Sequence, residues 1–562
     1  MKQRNLFVAM MAAVALVLGM TGCSNIDNMT GEEPMTPTVQ EMERSLVGLW
    51  YEEFAYEDVT EAGKPFNRAL IAVEAKADHT GYVALAVFDD QFNEPLEIYG
   101  GPKDAPFTWQ VTANGHVILT DPTTGESYSA ARMRSGLKGK NTRGGSGEGD
   151  GGHSGFVDIG QINMNCGQDS ITFSNASHEG TLSRAGNGED DLIQDWMAKS
   201  TLPRPCITDS IPVLIFSNLM NYVFNYPSVD PYGNPCTLSG VISVNKSLVE
   251  KDKPFNGIML YNHFTIYETT QTPSRGAIEF PTGAAGLTDF IVVAPDYYGF
   301  GITEKEPQAY CISRANGRAS LDAYLAAKRL IEDLEVKKGD DFVIAGYSEG
   351  AQTTMGVLRE ISERHPEIKV RRAFADDGPY DLTSTYDAIA AGDTEMPSTV
   401  CNVLWAYNHF FHLGYDIHDY LKGDVAANFD GWFLSKKYKR KALDEELIKT
   451  KKTTDICTDA VLNTTSPLSQ RFKAAFSADA LTNGWTPRSD LDVMLFHDTK
   501  DDVVPVDNFY AMSQFLKKHN IKTEEFVGDY SGDGKKELGT SNHELSGLTF
   551  FAEILKWMRA NY

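Results

Sequence analysis

The run Gly346-Tyr347-Ser348-Glu349-Gly350 joins an apolar stretch at 342–345 to an amphipathic one from 351 to about 361, where Ala351, Met355 and Leu358 share a face. A strand that enters a helix through Gly-x-Ser-x-Gly must turn tightly, because side chains two residues either side of the serine would collide with neighbouring backbone. The turn lifts the Ser348 hydroxyl above the sheet and sets it at a helix N-terminus, where developing negative charge is favoured. Such a turn needs strand–helix layering around it, and the chain carries the pattern. Residues 257–261 and 290–296 read as buried strands, and 317–334 as a helix with Leu321, Tyr324, Leu325, Ile331 and Leu334 near one face. Residues 372–375 and 493–496 read as further strands, and the chain ends in a helix bearing Leu548, Phe551, Leu555 and Met558. The expected fold class from about residue 204 is α/β with a mostly parallel sheet.

A serine hydroxyl becomes a good nucleophile only when a base takes its proton. His519, in Lys517-Lys518-His519-Asn520, reads as solvated surface at the polar end of a helix. His543 lies in a loop between the last strand-like stretch (524–527) and the terminal helix, and is the candidate base. The acid is expected just beyond the strand at 493–496, in His497-Asp498-Thr499-Lys500-Asp501-Asp502-Val503-Val504-Pro505. This segment resembles an HGxxDxxVP pattern common among α/β-hydrolases, which puts the acid at Asp501. Asp498 stands at the pattern's glycine, Asp502 is adjacent, and Asp376 and Asp377 after the preceding strand are remoter candidates.

Residues from about 210 to 562 resemble an α/β-hydrolase of the secreted lipase and esterase type. The segments that carry the likeness are Tyr226-Pro227-Ser228-Val229-Asp230 with Gly233, Tyr261-Asn262-His263-Phe264-Thr265, Pro295-Asp296-Tyr297-Tyr298-Gly299-Phe300-Gly301, and the Ser348 turn itself, with Ala351 where a second glycine is usual. The resemblance implies hydrolysis of carboxylic esters without a cofactor or metal, by Ser348, His543 and Asp501. Two backbone N–H groups would hold the oxyanion, one from Glu349 and the other from Phe264 or Thr265, with Phe264 standing where glycine is usual. His263 reads as structural. Residues 382–490, rich in aromatics, occupy the position of a helical cap, whose own core accounts for most of those rings. A hydrolase domain is thus expected over 204–562.

Residues 45–190 carry short β-like runs at 69–73, 81–88, 107–111, 116–119 and 170–173, with no long amphipathic helix between them. A mainly antiparallel β domain is expected, and Gly48-Leu49-Trp50 resembles the first strand of lipocalin-like barrels. The Gly-rich run 135–155 reads as a loop. Residues 1–22 have a signal-peptide pattern, with Lys2 and Arg4 ahead of an apolar run ending in Met20-Thr21-Gly22-Cys23. Small residues before Cys23 resemble the lipobox of bacterial lipoproteins, which implies lipidation of Cys23, a tether over 23–44 and an exported, membrane-anchored protein. In that setting disulfides are allowed, Cys206 with Cys236 and Cys401 with Cys457 being the pairs considered.

Against 51 Lys and Arg stand 77 Asp and Glu, a net charge of −26, which argues against a nucleic-acid partner. Asp529-Tyr530-Ser531-Gly532-Asp533-Gly534 starts like a calcium loop, but Thr540 stands at the twelfth position in place of a bidentate glutamate, so a surface turn is expected. Two readings rival an esterase: a peptidase on the same fold, and a surface lipoprotein that binds lipid or glycan through a degenerate hydrolase fold.

Overall fold

The computed structural model describes residues 39–60, 63–89, 95–111, 117–123, 125, 127–129, 163–166, 170–174, 179–184, 187–212, 219–276, 288–531 and 541–562. The expected signal segment, Cys23, most of the tether, the Gly-rich run at 135–155 and part of the calcium-like run lie outside these residues. The chain divides into two units, Met1–Thr201 and Leu202–Tyr562.

In the first unit α1 (Val39–Leu46) leads into β1 (Gly48–Val59), β2 (Pro65–Ala75), β3 (Thr80–Phe88), β4 (Glu97–Gly100) and β5 (Pro106–Val111). Then come β6 (Val117–Thr120), β7 (Ser127–Ser129), β8 (Asn163–Cys166), β9 (Ser170–Ser174), β10 (Glu179–Arg184) and helix α2 (Asn187–Lys199). Among the described residues these strands form one antiparallel sheet in the order β7-β6-β5-β3-β2-β1-β10-β9-β8, with β4 on β3. The period-two pattern explains the strands. In β5, Phe107, Trp109 and Val111 are buried while Thr108 and Gln110 are exposed. Trp50 is buried, and its indole N–H donates to the Leu46 carbonyl at 3.0 Å, tying α1 to β1. After the last strand α2 packs Ile193, Trp196 and Met197 against Leu49, Leu70, Tyr82 and Phe88 of the sheet. Its apolar residues span little more than one turn, too short a pattern to stand out from the sequence.

The second unit holds β11 (Cys206–Pro212), β12 (Leu219–Val229), β13 (Pro235–Asn245), β14 (Phe255–Asn262), β15 (Ile291–Pro295), β16 (Lys338–Tyr347), β17 (Arg372–Asp376), β18 (Asp492–Asp498) and β19 (Lys522–Gly528). They pair in the order β11-β12-β13-β15-β14-β16-β17-β18-β19. β11 to β13 and the β13–β15 pair are antiparallel, and every pairing from β15 onward is parallel. Parallel strands covered on both faces read as unbroken apolar runs. Thus Leu260, Ile344 and Leu495 face one layer with α3 (Ser313–Asp333), α4 (Glu349–Arg364) and α8 (Asp507–Lys518), while Met259, Val343 and Met494 face α9 (Asn542–Asn561). Helices α3 and α4 touch at Gly317 and Gly356, where a Cβ on Gly317 would lie 2.6 Å from the Gly356 carbonyl carbon.

Between β17 and β18 a helical cap is built around α5 (Leu382–Ala391), α6 (Pro397–Phe410) and α7 (Pro467–Asp479). It has its own core, in which Tyr386, Leu404, Tyr407, Phe429, Phe433 and Phe476 are buried. Lys436 is buried, and its ammonium donates to the carbonyls of Gly299, Glu304 and Glu306, fastening the cap to the loop after β15.

Neither considered disulfide is formed. Cys206, Cys311, Cys401 and Cys457 are free thiols. For Cys206 and Cys236 the reason is topological, since β12 runs between their strands. Cys401 and Cys457 are both buried in the apolar cap core. No helix among the described residues is long and apolar enough to cross a membrane.

Candidate active site

Ser348 sits between β16 and α4 with φ 57° and ψ −123°, a strained conformation for a residue with a Cβ. The flanking glycines permit it. A Cβ on Gly346 would lie 2.1 Å from the Gly350 carbonyl oxygen, and one on Gly350 would lie 2.1 Å from that of Asn262. The second contact also draws the loop after β14 against the start of α4. The Ser348 N–H donates to the Asp376 carbonyl at 2.8 Å, which anchors the turn to β17.

His543 is the second residue of α9, whose start is fixed by a capping box between Ser541 and Glu544. Its Nε2 lies 2.8 Å from Ser348 Oγ and its Nδ1 2.6 Å from Asp501 Oδ2. The Tyr347 hydroxyl donates to the His543 carbonyl at 2.6 Å. Asp501 follows β18, and its Oδ1 accepts the N–H groups of Val503 and Val504 at 2.8 and 2.9 Å. Burial works to raise its pKa, but the His543 imidazole, His497 and the Val504 N–H outweigh burial and hold the carboxyl below the ordinary aspartate value.

The other acids weighed from sequence take different places. Asp502 faces the backbone N–H groups of Asn542 and His543, at 3.3 and 3.5 Å. Asp498 is buried and accepts from the N–H groups of Lys500, Tyr530 and Ser531, so it shapes loops. Asp377 comes nearer than its sequence position suggested: its Oδ2 is 3.8 Å from His543 Nδ1 and bonds the Ser546 hydroxyl. Its Oδ1 accepts the Asp498 N–H at 3.0 Å and lies 3.3 Å from His497 Nδ1. Burial, then the carboxylates of Asp376 and Asp501, push Asp377 far above the ordinary aspartate value. Asp377, His497 and Asp501 have ligand-type atoms within 4.8 Å of one another, but Asp501 Oδ2 is taken by His543 and His497 Nε2 faces the Val504 carbonyl at 3.1 Å. Asp529 of the calcium-like run pairs with Lys500 at 2.5 Å. His263 is buried, stacked 4.0 Å from the Tyr297 ring, and its ring nitrogens face the carbonyls of Phe264 and Asp296 at 2.7 and 3.3 Å. Burial lowers it to about 4, so it is neutral.

Ser348 and His543 open onto a cavity of about 670 Å³. Phe264, Thr265 and Glu349 line it beside Ser348, so the residues expected at the oxyanion share one chamber. The cap contributes Leu382, Ile389, Met396, Val400 and Val403, and α9 contributes Leu548 and Phe551. Arg440 of the cap, also at the cavity, bonds Asp444 at 3.1 Å and Glu544 at 2.5 Å, next to His543. The Asp377–His497 pair and the Glu349 side chain were not singled out from sequence, because nothing local marks which polar groups folding will bury together.

The secretory lipase family matches residues 284–561. The solved structure of the rice cell wall degrading esterase LipA from Xanthomonas oryzae superposes with a TM-score of 0.52 at 18% identity, covering 64% of this chain and 97% of that one. A protein of Legionella pneumophila superposes with a TM-score of 0.50 at 18% identity, covering 61% of this chain and 88% of that one. At such identities the likeness establishes the fold. No curated protein matches the chain.

Proposed function

We propose that the second unit, an α/β-hydrolase of the secretory lipase kind and a carboxylic ester hydrolase, works through Ser348 as nucleophile, His543 as general base and Asp501 as the acid that orients His543. The observation that carries this reading is the hydrogen-bonded series Asp501 Oδ2, His543 Nδ1, His543 Nε2 and Ser348 Oγ, with steps of 2.6 and 2.8 Å. Ser348 Oγ attacks the ester carbonyl carbon while its proton passes to His543 Nε2. The tetrahedral oxyanion is held by the N–H of Glu349 and by that of Phe264 or Thr265. The intermediate collapses to an acyl-serine, and His543 returns the proton to the leaving alcohol. Water, activated by the same histidine, then releases the acid. Asp501, held below its ordinary pKa, stays ionised and stabilises the imidazolium. The apolar wall from the cap supports an acyl chain as the group bound.

A fluorophosphonate probe should label the wild type at one serine, and Ser348→Ala should take up none and lose ester hydrolysis. A folded wild type that stays unlabelled overturns the reading. We further infer that the protein is exported and held to a membrane through a lipidated Cys23, supported by the apolar run ending in Thr21-Gly22-Cys23. The first unit, opened by Gly48-Leu49-Trp50, is taken as a lipocalin-like accessory domain.

A further inference from the structure

Glu349 directly follows Ser348 and opens α4, so its own N–H is the donor assigned to the oxyanion. Its side chain is turned away from solvent, with the residue 1% exposed. Oε1 accepts the Cys311 N–H at 3.1 Å and the Asn316 side-chain amide at 3.3 Å, while Oε2 is buried without a partner. Cys311 is held at φ 54°, a conformation that a residue with a Cβ keeps only when its surroundings impose it. The bond from Glu349 is one such restraint, and Tyr310 and Cys311 both line the cavity beside Ser348.

The groups facing this carboxyl are neutral. They are the Cys311 thiol and the Tyr310 hydroxyl from the turn before α3, the Asn316 amide from α3, and the Tyr267 hydroxyl from the loop after β14. Burial first of all keeps the thiol and both phenols protonated. Asp444 and Asp479 of the cap act on Tyr267 and Cys311 respectively, and no Lys, Arg or His among the described residues pairs with Glu349.

Resting on Ser348 as nucleophile, we propose that Glu349 is a positioning residue that works only as an uncharged carboxylic acid. It fixes the Cys311 turn beneath the reacting ester and leaves the oxyanion as the sole negative charge beside its own N–H. Burial pushes this carboxyl up to about 8, against the Cys311 N–H and the Asn316 amide, which favour the anion. Ionisation would set a second negative charge in a dry site next to the developing one, where such repulsion is weakly screened.

The test is the pH dependence of kcat/KM for a neutral soluble ester, 4-nitrophenyl butyrate, with the full chain. Wild-type kcat/KM should fall about tenfold between pH 7 and pH 9 as the carboxyl ionises. Glu349→Gln keeps an oxygen for the Cys311 N–H and cannot ionise, so its kcat/KM should lose the alkaline fall. In Asn316→Ala, which lacks an amide that favours the anion, the fall should move to higher pH, a check that does not depend on how well Glu349→Gln folds. Melting temperatures at both pH values separate ionisation from unfolding. An alkaline fall unchanged in either variant overturns the proposal, as does a folded Glu349→Gln that is inactive at pH 7. A wild type that neither hydrolyses the ester nor takes the fluorophosphonate on Ser348 fails the underlying reading instead.

Discussion

Asp501 and Asp502 are adjacent in sequence yet meet different parts of His543, the ring for Asp501 and the backbone N–H for Asp502. Only the first can select the tautomer that leaves Nε2 free to accept the Ser348 proton. Loss of the acid in such a triad costs about 10⁴-fold in turnover, or roughly 5.5 kcal/mol. Asp501→Asn should therefore lose activity of that order on a soluble nitrophenyl ester with little change in melting temperature. Asp502→Asn should stay within about tenfold, or about 1.4 kcal/mol. Asp377→Asn belongs with the mild variant, because its 3.8 Å from the ring is too far for a bond. A crippled Asp502→Asn beside a healthy Asp501→Asn would show that the loop is shifted by one residue. Asp501 stood out from its neighbours in the sequence through the resemblance of 497–505 to the HGxxDxxVP pattern. The upward push on the Asp377 carboxyl could not be read there, since it depends on carboxyls from two separate segments being buried together.

Helix α3 shows how an element is placed by what it lacks. Its start was expected at 317, yet the helix begins at Ser313 and carries Gly317 inside it, although glycine usually weakens a helix interior. The glycine is where α3 meets Gly356 of α4, the helix that leads from Ser348. Gly317→Ala gains about 1 kcal/mol of helix propensity. It also sets a methyl group 2.6 Å from the Gly356 carbonyl carbon, so the two helices must part. Overpacking of this kind costs about 1–3 kcal/mol, enough to outweigh the gain. Urea unfolding should show Gly317→Ala less stable than wild type, and a more stable variant would mean the helices can separate freely. Contacts between distant helices leave no local periodicity, which is why the parallel strands were legible and this crossing was not. The cap was legible as a long aromatic insertion, but its many short helices were not, for each is too brief to show a repeat.

At the scale of the whole molecule, every residue of the proposed chemistry lies in Leu202–Tyr562, whereas the proposed anchor, Cys23, lies in Met1–Thr201. The two units were separable in sequence because their hydrophobic periods differ, alternating in one and strand–helix in the other. Each unit also has its own buried core, Trp196 with Leu70 and Phe88 in the first, Leu260 with Ile344 and Leu495 in the second. A unit with its own core and a complete site should act alone. Residues 202–562 expressed without the first unit are expected to fold, to take the fluorophosphonate on Ser348 and to hydrolyse soluble esters at a rate near that of the full chain. In the native host the full chain should need detergent for release, and Cys23→Ser should free it without detergent while leaving hydrolysis intact. A folded but inactive 202–562 fragment would make the first unit part of the catalytic apparatus. Equal release of the wild type and Cys23→Ser without detergent would remove the lipid anchor and leave a freely secreted esterase.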